Sequence, residues 1–134
     1  MRKPTLTQLT KDTQPITQEV FSSNVWLLGG NTLIGTPFLG SLNNVLVEVR
    51  VNNHRAVRYG YVENTVTAGS EYRSINVLGG SELNSIFAGV TGATISGGGK
   101  DNFTGTDAPN MVAEDFGTIG GGGGNTAGGL FSTV

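Results

Sequence analysis

The sequence predicts an all-β fold: an extended N-terminal arm, a small β-hairpin domain, and a glycine-rich shaft of stacked short strands (a β-roll or β-solenoid) shared by three chains. Residues 45–59 alternate apolar and polar side chains with the period of two that is typical of strands. Residues 60–134 contain 18 of the 22 glycines, and a glycine inside a helix costs about 1 kcal/mol relative to alanine. Short β-branched segments recur between these glycines.

Residues 1–23 are expected to form an attachment arm. The segment is polar and rich in threonine and glutamine, and Pro4 and Pro15 would break any long helix. Its two early positive charges precede no apolar run, which argues against a secretory signal and for synthesis in the cytoplasm. Four scattered apolar side chains are the candidates for docking onto a partner protein: Leu6, Leu9, Ile16 and Val20.

Residues 24–59 are predicted to form the small β-domain. Trp26, the only tryptophan, is interpreted as a packing residue. The segment 45–51 is the clearest strand, with its valines on one face. Asn52 and Asn53 then predict a tight turn, because asparagine tolerates the left-handed backbone conformation that hairpins require. Residues 55–59 are expected to return as the second strand.

Residues 60–134 show two recurring patterns. In the first pattern, asparagine is followed by serine or threonine, then by an apolar residue, and soon after by Ala-Gly. This pattern occurs at 64–69 and 84–89, and in contracted form at 125–129. Short β-branched segments occur at 75–80, 92–99, 116–123 and 131–134. Such repetition predicts short strands that stack on one another, with glycine supplying the positive-φ corners. The expected corner residues are Gly79, Gly80, Gly97, Gly98, Gly120 and Gly121.

The composition favours burial against other chains. Charged residues make up 13% of the sequence, about half of the usual share of roughly 25%. A single stack of such thin strands would enclose little apolar volume, so we expect two further identical chains to complete a homotrimer. The candidates for packing around the common axis are Trp26, Val47, Val49, Ile95, Ile119 and Val134.

The order of these motifs resembles that of phage tail fibres and related trimeric fibre proteins, and is similar to the heads of trimeric autotransporter adhesins. The resemblance is carried by "GVTGATISGGG", "NMVAEDFGTIGGGGGNTAGG" and "FSTV", and upstream by "WLLGGN" and "LVEVRVNNHRAVRY". It covers roughly residues 24–134. It implies a homotrimeric fibre with a receptor-binding tip, and neither that tip nor a capping repeat is present in this chain. The chain is therefore expected to be the N-terminal portion of a longer polypeptide.

Neither catalysis nor cofactor binding is expected. The segment "ISGGGKD" lacks the first glycine and the final serine or threonine of a phosphate-binding loop. His54 is the only histidine and is expected to be a solvated turn residue. The acidic residues between 101 and 115 match no calcium-binding spacing and are interpreted as solvated. The net charge of −2 and the absence of a long apolar run argue against nucleic-acid binding and membrane insertion.

The function expected from the sequence is structural. The chain would be the baseplate- or tail-proximal part of a phage tail fibre, made in the host cytoplasm and assembled into the virion. Residues 1–23 would dock onto a baseplate or tail protein, and a part absent from this chain would bind the host receptor. A capsid decoration protein and a bacterial surface adhesin are the alternatives. Gly121→Val is expected to damage a corner by forcing valine into positive φ.

Overall fold

The computed structural model describes residues 29–30, 32–33, 35–66, 70–103 and 105–134. These residues form β-strands, turns and bends without any helix, which confirms the predicted all-β class. The chain divides into two compact units, 1–39 and 40–134, and the ten strands formed by the described residues lie in the second. The predicted docking residues of the arm and Trp26 lie outside the described residues: Leu6, Leu9, Ile16, Val20 and Trp26.

The predicted hairpin is confirmed. Strand β1 (Val47–Val51) pairs antiparallel with β2 (His54–Val66). The connecting residues Asn52 and Asn53 have φ values of 49° and 61°. This double left-handed turn matches the right-handed twist of the two strands, and asparagine adopts it at little cost.

A second hairpin extends the sheet beyond the predicted domain boundary. Strand β3 (Ser70–Gly79) pairs antiparallel with β2 from Val57↔Gly79 to Val66↔Ser70. The expected boundary between residues 59 and 60 therefore falls inside β2, so the two predicted regions share one sheet. Asn64, assigned to the repeat, lies in this long strand instead.

Beyond β3 the chain alternates between two stacks of short parallel strands. The first stack contains β3, β5 (Thr94–Ile95) and β9 (Thr118–Ile119), followed by a parallel bridge from Thr118 to Thr133. The second contains β4 (Ser85–Ile86), β8 (Met111–Val112) and β10 (Thr126–Ala127). The recurring β-branched segments thus lie side by side in the first stack.

A short antiparallel hairpin interrupts this alternation between β5 and β8. It consists of β6 (Lys100–Phe103) and β7 (Thr106–Ala108). The sequence does not predict this hairpin, because the alternation that distinguishes a strand is too short to detect over three or four residues.

The described part of the core lies between the two stacks. Leu78, Ile95 and Ile119 occupy successive levels of the first stack and face the second, where Val112 and Ala127 are buried. The buried hydrophobic residues are Leu78, Val90, Ala93, Ile95, Val112, Ile119 and Ala127.

This core corrects two of the predicted trimer contacts. Ile95 and Ile119 are fully buried within one chain, with 0% exposure, so they offer no surface to another chain. Hydrophobicity predicts burial without stating which surface covers the side chain, and here the second stack covers it. Val134 is 53% exposed and remains on the surface.

The positive-φ corners are also shifted from their predicted places. Gly80, Gly98 and Gly122 have φ values of 76°, 69° and 78°, whereas Gly79, Gly97, Gly120 and Gly121 do not have positive φ. A Cβ at Gly80 would overlap the carbonyl oxygen of Gly98, and a Cβ at Gly98 would overlap that of Gly122. Gly80 and Gly98 thus let one level approach the next, and the assignment of a positive-φ corner to Gly121 was wrong.

We predict that Gly98→Ala destabilises the fold by about 2–4 kcal/mol, because it adds both a strained φ and a backbone overlap. Gly97→Ala is the matched control, since Gly97 lacks positive φ and a methyl group added there would meet no atom within 4 Å. The measurement is the free energy of unfolding in urea. Equal losses in the two variants would contradict this account of the corner.

Candidate functional site

Three asparagines form a hydrogen-bonded ladder along the corners of the two stacks. Asn84 Nδ2 donates to Gly79 O at 2.9 Å within its own corner and to Gly98 O at 3.0 Å in the next. Asn84 Oδ1 accepts the backbone N–H of Asn110 at 2.8 Å. The side chain of Asn84 therefore hydrogen-bonds to the backbone of its own corner and to the backbone of the next corner.

Asn110 repeats these contacts one level further. Its Nδ2 donates to Gly97 O at 3.2 Å and to Gly122 O at 3.0 Å. Its Oδ1 accepts the backbone N–H of Asn125 at 3.1 Å. These contacts require a primary amide, because it carries both donors and an acceptor, whereas the carboxylate of aspartate lacks the donors.

Sequence reasoning found only part of this ladder. Asn84 and Asn125 were recognised by the serine or threonine that follows each of them. Asn110 was missed because methionine follows it and because β6 and β7 separate it from its glycine corner. The spacing Asn–any residue–apolar, shared by all three positions, was the available signal.

The opposite corners carry an aromatic stack. Phe116 and Phe131 have φ values of 58° and 59°, which is unusual for bulky residues. Their rings stack with centroids 5.0 Å apart, and the ring of Tyr72 meets Phe116 edge-on at 6.2 Å. In the sequence "FGTI" returns as "FSTV", and the two phenylalanines occupy equivalent places.

Arg55 joins the antiparallel sheet to the first corner. Its side chain is buried, and Nη2 donates to Ser81 O at 2.7 Å and to Asn84 O at 3.3 Å. The backbone N–H of Arg55 also donates to Glu82 Oε1 at 3.1 Å, which lowers the pKa of that carboxyl group. Arg55 therefore supplies hydrogen-bond donors to the carbonyl groups of Ser81 and Asn84, where the two stacks begin.

The apolar surface of the three-stranded antiparallel sheet is the main candidate for contact with another molecule. Cross-strand pairing places seven side chains on one side of β1, β2 and β3, because side chains alternate along each strand. Four of them are more than a third exposed: Val49, Tyr59, Tyr61 and Ile75. We call this set the apolar sheet face, and its members are Val47, Val49, Val57, Tyr59, Tyr61, Ile75 and Val77.

An open hollow lies at one end of the apolar sheet face. Its volume is about 400 Å³, and the loop 41–45 lines it together with Val47, Tyr59, Tyr61 and Ile75. Leu42 and Val45 on this loop are 94% and 53% exposed. Two of the predicted trimer contacts, Val47 and Val49, belong to the apolar sheet face.

The other side of the sheet carries the charges of β1. Glu48 Oε1 lies 2.6 Å from Arg58 Nη2, and Glu48 Oε2 lies 2.6 Å from Arg50 Nη2. Hydrogen bonds from Arg58 and Arg50 lower the pKa of Glu48 below its usual range. Charged and apolar side chains are thus separated onto opposite sides of one strand.

The acidic residues of the region 101–115 are divided between two places. Asp101 and Asp107 lie on the β6–β7 hairpin, and Glu114 and Asp115 follow β8. Asp115 Oδ1 accepts the backbone N–H of Thr91 at 2.8 Å, so this carboxylate closes a corner. Within the described ranges, no three histidine, cysteine or acidic side chains come together as a potential metal site.

Comparisons with protein-family models, with curated proteins and with solved structures found no match to this chain. Across the described residues, no helix has the length and hydropathy needed to span a membrane.

We predict that Asn110→Asp destabilises the fold by about 3–5 kcal/mol, because a buried carboxylate would face carbonyl oxygens to which the amide now donates. Asn44→Asp, at an exposed position, is the matched control. Thermal unfolding at pH 7 measures both variants. A loss in Asn110→Asp no larger than in the control would show that the ladder contributes little.

We also predict that Glu48→Gln weakens stability at neutral pH and has less effect in acid. Because the folded pKa of Glu48 is lowered, its ion pairs stabilise the fold above the ordinary glutamate pKa of about 4.3, and this contribution is lost as the pH falls through the folded pKa. The melting temperatures of both proteins at pH 7 and pH 3 provide the test, with Glu114→Gln as an exposed control. An equal difference at both pH values would contradict the assignment.

Proposed function

We propose that this chain is a virion structural protein, the baseplate- or tail-proximal part of a homotrimeric phage tail fibre. Residues 1–23 would dock onto a baseplate or tail protein. The two parallel stacks would be the start of a β-solenoid shaft, and the shaft would anchor a receptor-binding tip. In this proposal the chain acts mechanically, without catalysis or a cofactor.

The repeated corner carries the proposal. The same two devices recur at successive levels: a positive-φ glycine against the next backbone, and an asparagine bonded forward to the next corner. Each level contacts mainly its neighbours, so further levels could be added without changing the design. An architecture that grows in one direction suits a rod.

A rod of this kind has a simple role in attachment. Its length sets the distance between the particle and the host surface, and its stiffness limits the volume that a distal tip explores. Three chains would present three tips together, and linked binding events raise the effective affinity without any new contact.

We predict that the purified full chain has three times its single-chain mass of 13.9 kDa in size-exclusion chromatography with light scattering. Association is expected because the apolar sheet face is too large to remain in water at no cost. A single-chain mass at micromolar concentration would contradict the homotrimer.

Location provides the more specific test of function. We expect gold-labelled antibodies against this chain to mark the tails of phage particles that carry the gene, seen by negative-stain electron microscopy. An antibody against the major capsid protein is the control for label position. Labelling over the capsid would favour a decoration protein instead, and labelling on the bacterial surface would favour an adhesin.

A further inference from the structure

We infer that the apolar sheet face is the surface through which the three identical chains pack against one another around their common axis. This inference rests on the proposed homotrimer and names its interface. It keeps two of the trimer contacts predicted from the sequence, Val47 and Val49, and excludes Ile95 and Ile119, which are buried within one chain.

The apolar sheet face is electrically neutral. None of its seven members is charged, and the ion pairs of Glu48 lie on the other side of the sheet. At its far end Glu63 and Arg73 pair with each other at 3.1 Å. A partner therefore needs no complementary charge, only an uncharged apolar surface of similar shape, and a second copy of this chain supplies one.

The size of the surface approaches that of a chain-to-chain contact. Aromatic side chains bury roughly 150–250 Å² each when covered completely. Scaled from the lower of these figures by their exposed fractions, the four exposed members of the face and the adjoining Leu42, Val45 and Val51 present about 600 Å². One partner in an interface of standard size buries about 800 Å², and the largest apolar patch on a typical monomer is about 300–600 Å².

The balance of buried and exposed hydrophobic residues also favours a partner that covers the face. The described residues include five buried hydrophobic residues of valine size or larger, against seventeen exposed ones of valine size or larger. Since burial of apolar area is the main driving force of folding and association, covering part of this exposed apolar surface would stabilise the protein.

The register of the first stack extends the same side of the sheet beyond the apolar sheet face. Val77 on the face aligns with Thr94, which aligns with Thr118, and a bridge then leads to Thr133. The apolar sheet face therefore continues into a column of uncharged threonines.

The sequence contains no cysteine, so single cysteines can report on the interface. Val49 and Ile75 on the face are each 48% exposed in the single chain, and Leu130, outside the face, is 59% exposed. If the face is covered, Val49→Cys and Ile75→Cys should react with a maleimide at least about tenfold more slowly than Leu130→Cys in the native full-length protein. In urea all three should react alike.

The oligomeric state of each variant is measured in the same samples. A trimer with slow labelling at positions 49 and 75 supports the inference. A trimer in which these positions react as fast as position 130 overturns the inference and leaves the proposed fibre intact. A wild-type protein that remains monomeric overturns both.

A charge substitution gives an independent measurement. Tyr61→Lys should reduce the trimer to single chains at concentrations where the wild type is trimeric, because burying an unpaired lysine in an apolar contact is costly. Leu130→Lys should remain trimeric. If Tyr61→Lys is trimeric with an unchanged circular dichroism spectrum, the face does not form the contact.

Discussion

The fold depends on how closely successive corners of the chain can approach one another. At Gly80 and Gly98 the backbone is left-handed, and the next corner lies where a side chain would begin. Glycine meets both requirements, since it tolerates positive φ and lacks a Cβ. The short strands of the two stacks can pair in parallel only because these corners bring them within hydrogen-bonding distance.

The asparagine ladder converts this close approach into a specific register. Strands of two residues have few backbone hydrogen bonds with which to select their partners. The amides of Asn84 and Asn110 add bonds that reach both the same corner and the next one. Because these side chains are buried, each bond left unmade would carry a desolvation cost, and that cost penalises a shifted register.

Local patterns predicted the parts of the fold that depend on local conformation. The alternation of residues 45–51 and the pair Asn52-Asn53 predicted the first hairpin, and the recurring β-branched segments predicted the strands of the first stack. Identical glycines gave no indication of register, so the positive-φ corner in the run 120–124 was assigned to Gly120 and Gly121, whereas Gly122 and Gly124 have positive φ. Composition could not tell burial within a chain from burial between chains, so Ile95 and Ile119 were assigned to the trimer. The full apolar sheet face could not be predicted from the sequence, because its members lie on three separate strands and the pairing of β3 with β2 was not predicted.

Hydrogen exchange of the amide groups at the ladder, followed by NMR, tests this account most directly. The backbone N–H of Asn110 bonds to Asn84 Oδ1, and that of Asn125 bonds to Asn110 Oδ1. If the ladder holds the corners together, both should exchange only through global unfolding, as slowly as the N–H groups of β2 and β3. Exchange at the rate of an open loop, while β2 and β3 remain protected, would contradict the claim that these corners organise the fold.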